Sequence, residues 1–147
     1  MSTQALRLTS GRSTSLDLVL RLLVAAALVV DAVVHLRLAS NYQLAFPDGI
    51  GGGTLFRVEA AVAILAAAYV LIRGSRASYA LAFGVAASAF VAVVLSRYVE
   101  LPAVGPIPSM YEPLWFFEKS LSAVAEGAGA VLAAIGIRYA RPTTPAD

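Results

Sequence analysis

Four apolar runs divide this chain, near residues 16–39, 54–73, 78–97 and 113–139. Each is long enough to cross a bilayer as a helix, which takes roughly 20 predominantly apolar residues. Lipid offers the backbone no hydrogen-bond partners, so runs of this length must satisfy their own and fold as helices. The expected fold is therefore all-α: one integral membrane four-helix bundle, with no room in 147 residues for a separate soluble domain. Charged residues make up only 14% of the chain, against about 25% in soluble domains. The first run exceeds the roughly 7–15 apolar residues of a signal peptide and carries Asp31 and His35 where a cleavage site would lie, so it is expected to stay.

The basic residues set an expected orientation. Arg7, Arg12, Arg21, Arg73, Arg76, Arg138 and Arg141 lie on the side of both termini, against Arg37, Arg57, Arg97 and Lys119 on the other. The positive-inside bias then places the protein in the cell membrane with both termini, the tails 1–15 and 140–147, in the cytoplasm. Tyr42, Phe46, Tyr98, Tyr111 and Trp115 cluster at the opposite boundary, where amphipathic rings settle. The pI is near 9.2, but the basic residues are spread along segment ends, so no nucleic-acid partner is expected. The expected partners are the lipid bilayer and a second copy or another membrane protein.

Turn chemistry marks the connections. Ser15 and Thr54 are candidate N-caps. Pro47-Asp48-Gly49 and Gly51-Gly52-Gly53 are expected to break the chain between the first two helices. The tight Gly74–Ala77 link predicts that the second and third helices are neighbours. The link from Glu100 to Glu112 holds Pro102, Pro106 and Pro108 and reads as extended; within it Ser109 and Glu112 have capping-box spacing. Greasy contact does not drive helix association in lipid, whereas close packing of small residues does. Candidate packing stripes are Ala63, Ala66 and Ala67 on the second helix, Ala80, Gly84, Ser88, Ala92 and Ser96 on the third, and Gly129, Ala133 and Gly136 on the fourth.

The fourth helix has two unlike faces. Glu118, Lys119, Ser122 and Glu126 share one sector with the small residues, opposite Phe117, Leu121, Val124, Val131 and Ile135. On the first helix Asp31 and His35 stand one turn apart, about 6 Å along the axis. A lone charge near the bilayer midplane costs at least about 2.5–3.5 kcal/mol, so these groups are expected to point inward and be paired. Asp31, His35, Glu59, Glu118, Lys119 and Glu126 are the candidates for a ligand or proton-relay site. Arg37, Arg57 and Arg97 are their expected ion-pair partners. Pro108, Met110, Tyr111, Glu112 and Trp115 form a candidate lid or docking loop. With one histidine and no cysteine, neither a cofactor nor a metal is expected, although Asp31, His35 and a glutamate of the fourth helix could chemically ligate one.

The stretches Asp31–Ala39, Leu55–Ala60 and Gly105–Trp115, with Glu118-Lys119, resemble a group of small, uncharacterised bacterial four-helix membrane proteins. The resemblance runs from the first helix to the middle of the fourth. It implies the four-span architecture and brings no activity or catalytic residue with it. No nucleophile elbow, phosphate loop or metalloprotease motif is present, and no catalytic residue is expected. The sequence therefore reads as a non-enzymatic accessory or scaffold protein with a buried polar network. The alternative is an oligomeric ion- or proton-coupled carrier that uses an outward cavity at Asp31, His35 and Glu126.

Overall fold

The structure, a computed structural model, describes residues 3–140, with side chains from residue 15. It is all-α: α1 (Thr3–Ala45), α2 (Gly52–Arg73), α3 (Arg76–Tyr98) and α4 (Phe117–Tyr139). Each helix contains a stretch long and apolar enough to cross a membrane, Ser15–Ala45 in the case of α1. The C-terminal tail expected beyond Ala140 and the side chains of Arg7 and Arg12 lie outside the described residues.

Helix boundaries on α1, α2 and α4 differ from the sequence expectation. α1 runs through Ser15, which is not an N-cap, and continues past residue 39 to Ala45. Nothing between Ser40 and Ala45 breaks a helix, and α1 ends only where Pro47 disfavours helical backbone in the residue before it. α2 starts at Gly52 rather than at Thr54, because Gly52 and Gly53 turn into the helix instead of the loop. A β-carbon on Gly53 would collide with the Ala39 carbonyl, so these glycines let α2 begin flush against the last turns of α1. α4 starts at Phe117, and residues 113–116 stay non-helical. The expected capping box does not form: Ser109 Oγ donates to the Leu101 carbonyl, and the Glu112 N–H donates to the Ser96 carbonyl. A capping box forms instead at α3, where Ser75 and Ser78 bond each other's backbone.

The helices assemble as two close pairs, α1 with α2 and α3 with α4, joined along a seam between α1 and α4. α2 and α3 are linked by a two-residue turn yet are the least closely packed consecutive pair, and the backbones of α2 and α4 do not approach each other closely. The core is built from small residues, including Ala60, Ala63, Ala66 and Ala67 of α2 and Gly129, Ala133 and Gly136 of α4. These are the expected stripes. On α3 the expected stripe is not the packing face: Ala80, Gly84, Ser88 and Ala92 are exposed, while Ser78, Tyr79, Ala82, Val85, Ala86 and Ala89 are buried. Tyr79 decides the rotation. Its ring is fully buried over Gly136, where any β-carbon would strike it. Large apolar side chains such as Leu65, Ile72, Phe117 and Val124 point outward, the arrangement expected of helices surrounded by lipid.

Candidate functional site

The buried charges meet on the α1–α4 seam. Asp31 (1% exposed) and Glu126 (2% exposed) approach from the two helices, with Ser122 between them. One turn of α1 places His35 over Asp31, and its Nδ1 stands 2.8 Å from Asp31 Oδ1 and 3.1 Å from the Asp31 carbonyl oxygen. One turn of α4 places Ser122 over Glu126. Ser122 Oγ lies 2.9 Å from Asp31 Oδ1 and 2.6 Å from Glu126 Oε1. The other face of His35 tilts onto Phe56 of α2 at 4.8 Å between ring centroids, and Phe56 stacks on Tyr42 at 4.1 Å.

Counting donors limits the charge state of this cluster. A serine hydroxyl carries one proton, so Ser122 donates in one of its two contacts and accepts in the other. Two bare carboxylates would leave one of those contacts lone pair against lone pair. A proton on one carboxyl group would relieve that contact, as would a cation held between the acids. Three buried carboxylate oxygens, Asp31 Oδ2, Glu126 Oε2 and Glu59 Oε1, have no partner among the described residues. Buried polar atoms ordinarily have one.

Above the cluster lies a cavity of about 610 Å³. His35, Glu59, Ser122 and Glu126 form its polar floor, and all four helices contribute to its walls. On α3 those walls include Ser88, Ala92 and Ser96, so the outer part of the small-residue stripe borders the cavity, while Ala80 and Gly84 are exposed away from it. The roof is the segment between α3 and α4, which lines the cavity with Pro108, Met110 and Tyr111. This roof is tied down at several points. Val104 and Ile107 bond reciprocally in a tight turn, and the Pro106 carbonyl accepts the Ile50 N–H at 2.9 Å. Gly49, at φ +62°, passes so close to Pro106 that a side chain would collide with its carbonyl. At the far end Lys119, almost fully buried, donates from Nζ to the Glu112 carbonyl at 2.5 Å and lies 5.6 Å from the Trp115 ring centroid.

Of the candidate residues, the fold brings together Asp31, His35, Glu59 and Glu126, with Lys119 at the cavity wall. Glu118 turns away and lines a separate groove of about 320 Å³ with Leu38, Tyr42 and Phe46. The arginines take no part in the cluster. Arg37 and Arg57 are exposed, and Arg97 lies 5.0 Å over the Tyr98 ring. Among the described residues the ion pairs are Arg21–Asp17 and His35–Asp31. The hydroxyl that joins the two acids, Ser122, was signalled only by standing one turn before Glu126. Phe56 carried no signal beyond its place in the first turns of α2. The chain matches no known protein family, no curated protein and no solved structure, so the chemistry of the site rests on these residues alone.

Proposed function

We propose that this chain is a multi-pass membrane protein that binds a small, largely apolar molecule in the roofed cavity, with the molecule's polar end over His35, Glu59 and Glu126. The observation that carries this reading is the cavity itself. Its volume of about 610 Å³ falls within the roughly 300–1,000 Å³ of small-molecule sites, which pair apolar walls with a few convergent polar groups. A network that served only to hold helices in register would be covered by packed side chains; this one borders a space large enough for a ligand, with His35 and Glu59 only part-buried beside it.

The cavity lies beside the loosely packed α2–α3 pair, whose residues Val58 and Ser88 are exposed. An apolar ligand can enter there from the bilayer without passing the roof. With the termini cytoplasmic, as the basic residues suggest, the roof faces outward. All the residues that line the cavity come from one chain. Without a catalytic constellation beyond the floor, the reading is binding or carriage rather than turnover.

Organic extraction of the detergent-purified protein, followed by mass spectrometry, tests the proposal. The wild type should release one class of lipid-soluble molecule at close to one per chain. Ala92→Trp, which projects an indole into the cavity from α3, should lower that yield at least about tenfold while the protein stays helical and monodisperse. Equal recovery from both proteins would remove the cavity from the account.

A further inference from the structure

We propose that Asp31, His35 and Glu126 hold a single divalent transition-metal ion. The proposal goes beyond the cavity reading and stands whether or not the cavity binds a molecule. Each of the three residues offers one ligand atom, and these atoms all lie within 4.8 Å of one another. At metal–ligand bonds of about 2.0–2.2 Å, donors on opposite sides of an ion stand about 4–4.4 Å apart. The widest separation therefore closes by about 0.4–0.8 Å around an ion that takes those donors on opposite sides, and by about 1.2–1.5 Å in a tetrahedral site. Asp31 and Glu126 are almost fully buried, and each retains a carboxylate oxygen with no partner among the described residues.

Charge supports the same assignment. The donor count at Ser122 calls for a proton on a carboxyl group or a cation between the two acids. A divalent ion is such a cation and balances both carboxylates, leaving a neutral centre that lipid tolerates far better than a net charge. One imidazole with two carboxylates suits manganese, iron or zinc; calcium and magnesium favour oxygen-only sets, and no thiolate is present to select softer ions. Ser122 would then donate to a ligating carboxylate, the outer-sphere bond that fixes such ligands in place. Because His35 and Glu126 also line the cavity floor, positions that the three residues leave open on the ion would lie toward the cavity.

The test uses full-length protein without an affinity tag, stripped with chelator in detergent and titrated with Mn²⁺ and Co²⁺. One ion should bind per chain, and pulsed electron paramagnetic resonance of the Mn²⁺ form should show nitrogen couplings from one imidazole. The chain contains one histidine, so that signal identifies His35. Glu126→Gln and Asp31→Asn should each weaken binding at least about tenfold, as expected when a ligand is lost. Their helical content and elution show whether they fold. Stoichiometry below a tenth of an ion in the wild type, absence of imidazole coupling, or equal binding in folded variants would each overturn the proposal. None of these results bears on the extraction measurement, so the two readings fail separately.

Discussion

Replacing Gly136 with leucine should prevent the α3–α4 pair from closing. The Tyr79 ring is fully buried directly over Gly136, and its hydroxyl donates to Asp17 Oδ1 at 3.4 Å, so the ring is held at both ends. Even a methyl group at position 136 would strike ring atoms rather than a flexible chain end. Overpacking a closed core by methylene groups costs about 1–3 kcal/mol and occasionally more. A leucine against an immobile ring should reach the upper end, about 3 kcal/mol. Thermal unfolding in detergent checks this, with Gly84→Leu as the control, because nothing lies within 4 Å of a β-carbon there. Gly136→Leu should melt far below the wild type, and Gly84→Leu should melt with it. Equal melting of the two variants would mean that Tyr79 does not sit over α4.

The second large effect is at Asp31. Asp31→Ala strips His35 and Ser122 of their shared acceptor. Removing one partner of a buried ionic set costs about 3–5 kcal/mol, because the others remain buried and uncompensated. Replacing the whole set by apolar residues of similar volume is a different experiment and is often neutral or stabilising. Combining Asp31→Leu, His35→Phe, Ser122→Ala and Glu126→Met should therefore restore the stability that Asp31→Ala loses, while abolishing binding in the cavity. If the combined variant melts as low as Asp31→Ala, the cluster serves assembly, and the scaffold role expected from sequence is the better reading.

How far the sequence exposed this arrangement depends on which helix is read. On α4 the two faces were legible, because polar and small residues occupy one sector and bulky ones the other; Phe117 and Val124 indeed point outward while Glu126 and Gly129 are buried. α3 misled because it is rich in small residues all round. The four-residue stripe from Ala80 to Ser96 lies beside the true packing face, and only the fit of Tyr79 into the gap left by Gly136 rotates the helix to its place. The start of α4 was misplaced for a related reason. Pro113 is acceptable in a first helical turn, but the Glu112 backbone is committed to Ser96 and Lys119, two bonds that no local pattern reveals. Arg37, Arg57 and Arg97 stand at the outer ends of their helices, from which the sequence expects them to reach inward to the acids. His35, one turn away from Asp31, takes that role for Asp31 alone.

The roof shows the same division between local and tertiary information. Its prolines point to an extended segment; it is non-helical throughout but folds back in a tight turn at Val104–Ile107. Its docking onto the α1–α2 connection depends on Pro106 meeting Ile50 and Gly49, residues more than fifty positions apart. Turn chemistry identifies both partners as loops and says nothing of their contact.

The account depends above all on α1 and α4 meeting face to face at the level of Asp31 and Glu126. A β-carbon on Gly129 would stand 3.2 Å from that of Ala27, a separation close to the roughly 3.5–4.5 Å of disulfides. The chain has no cysteine of its own, so the double variant Ala27→Cys with Gly129→Cys can be oxidised in membranes without background. The account predicts an intrachain disulfide in most molecules, seen as a mobility shift reversed by reductant. Free thiols after oxidation, or bonds formed only between two copies, would contradict it.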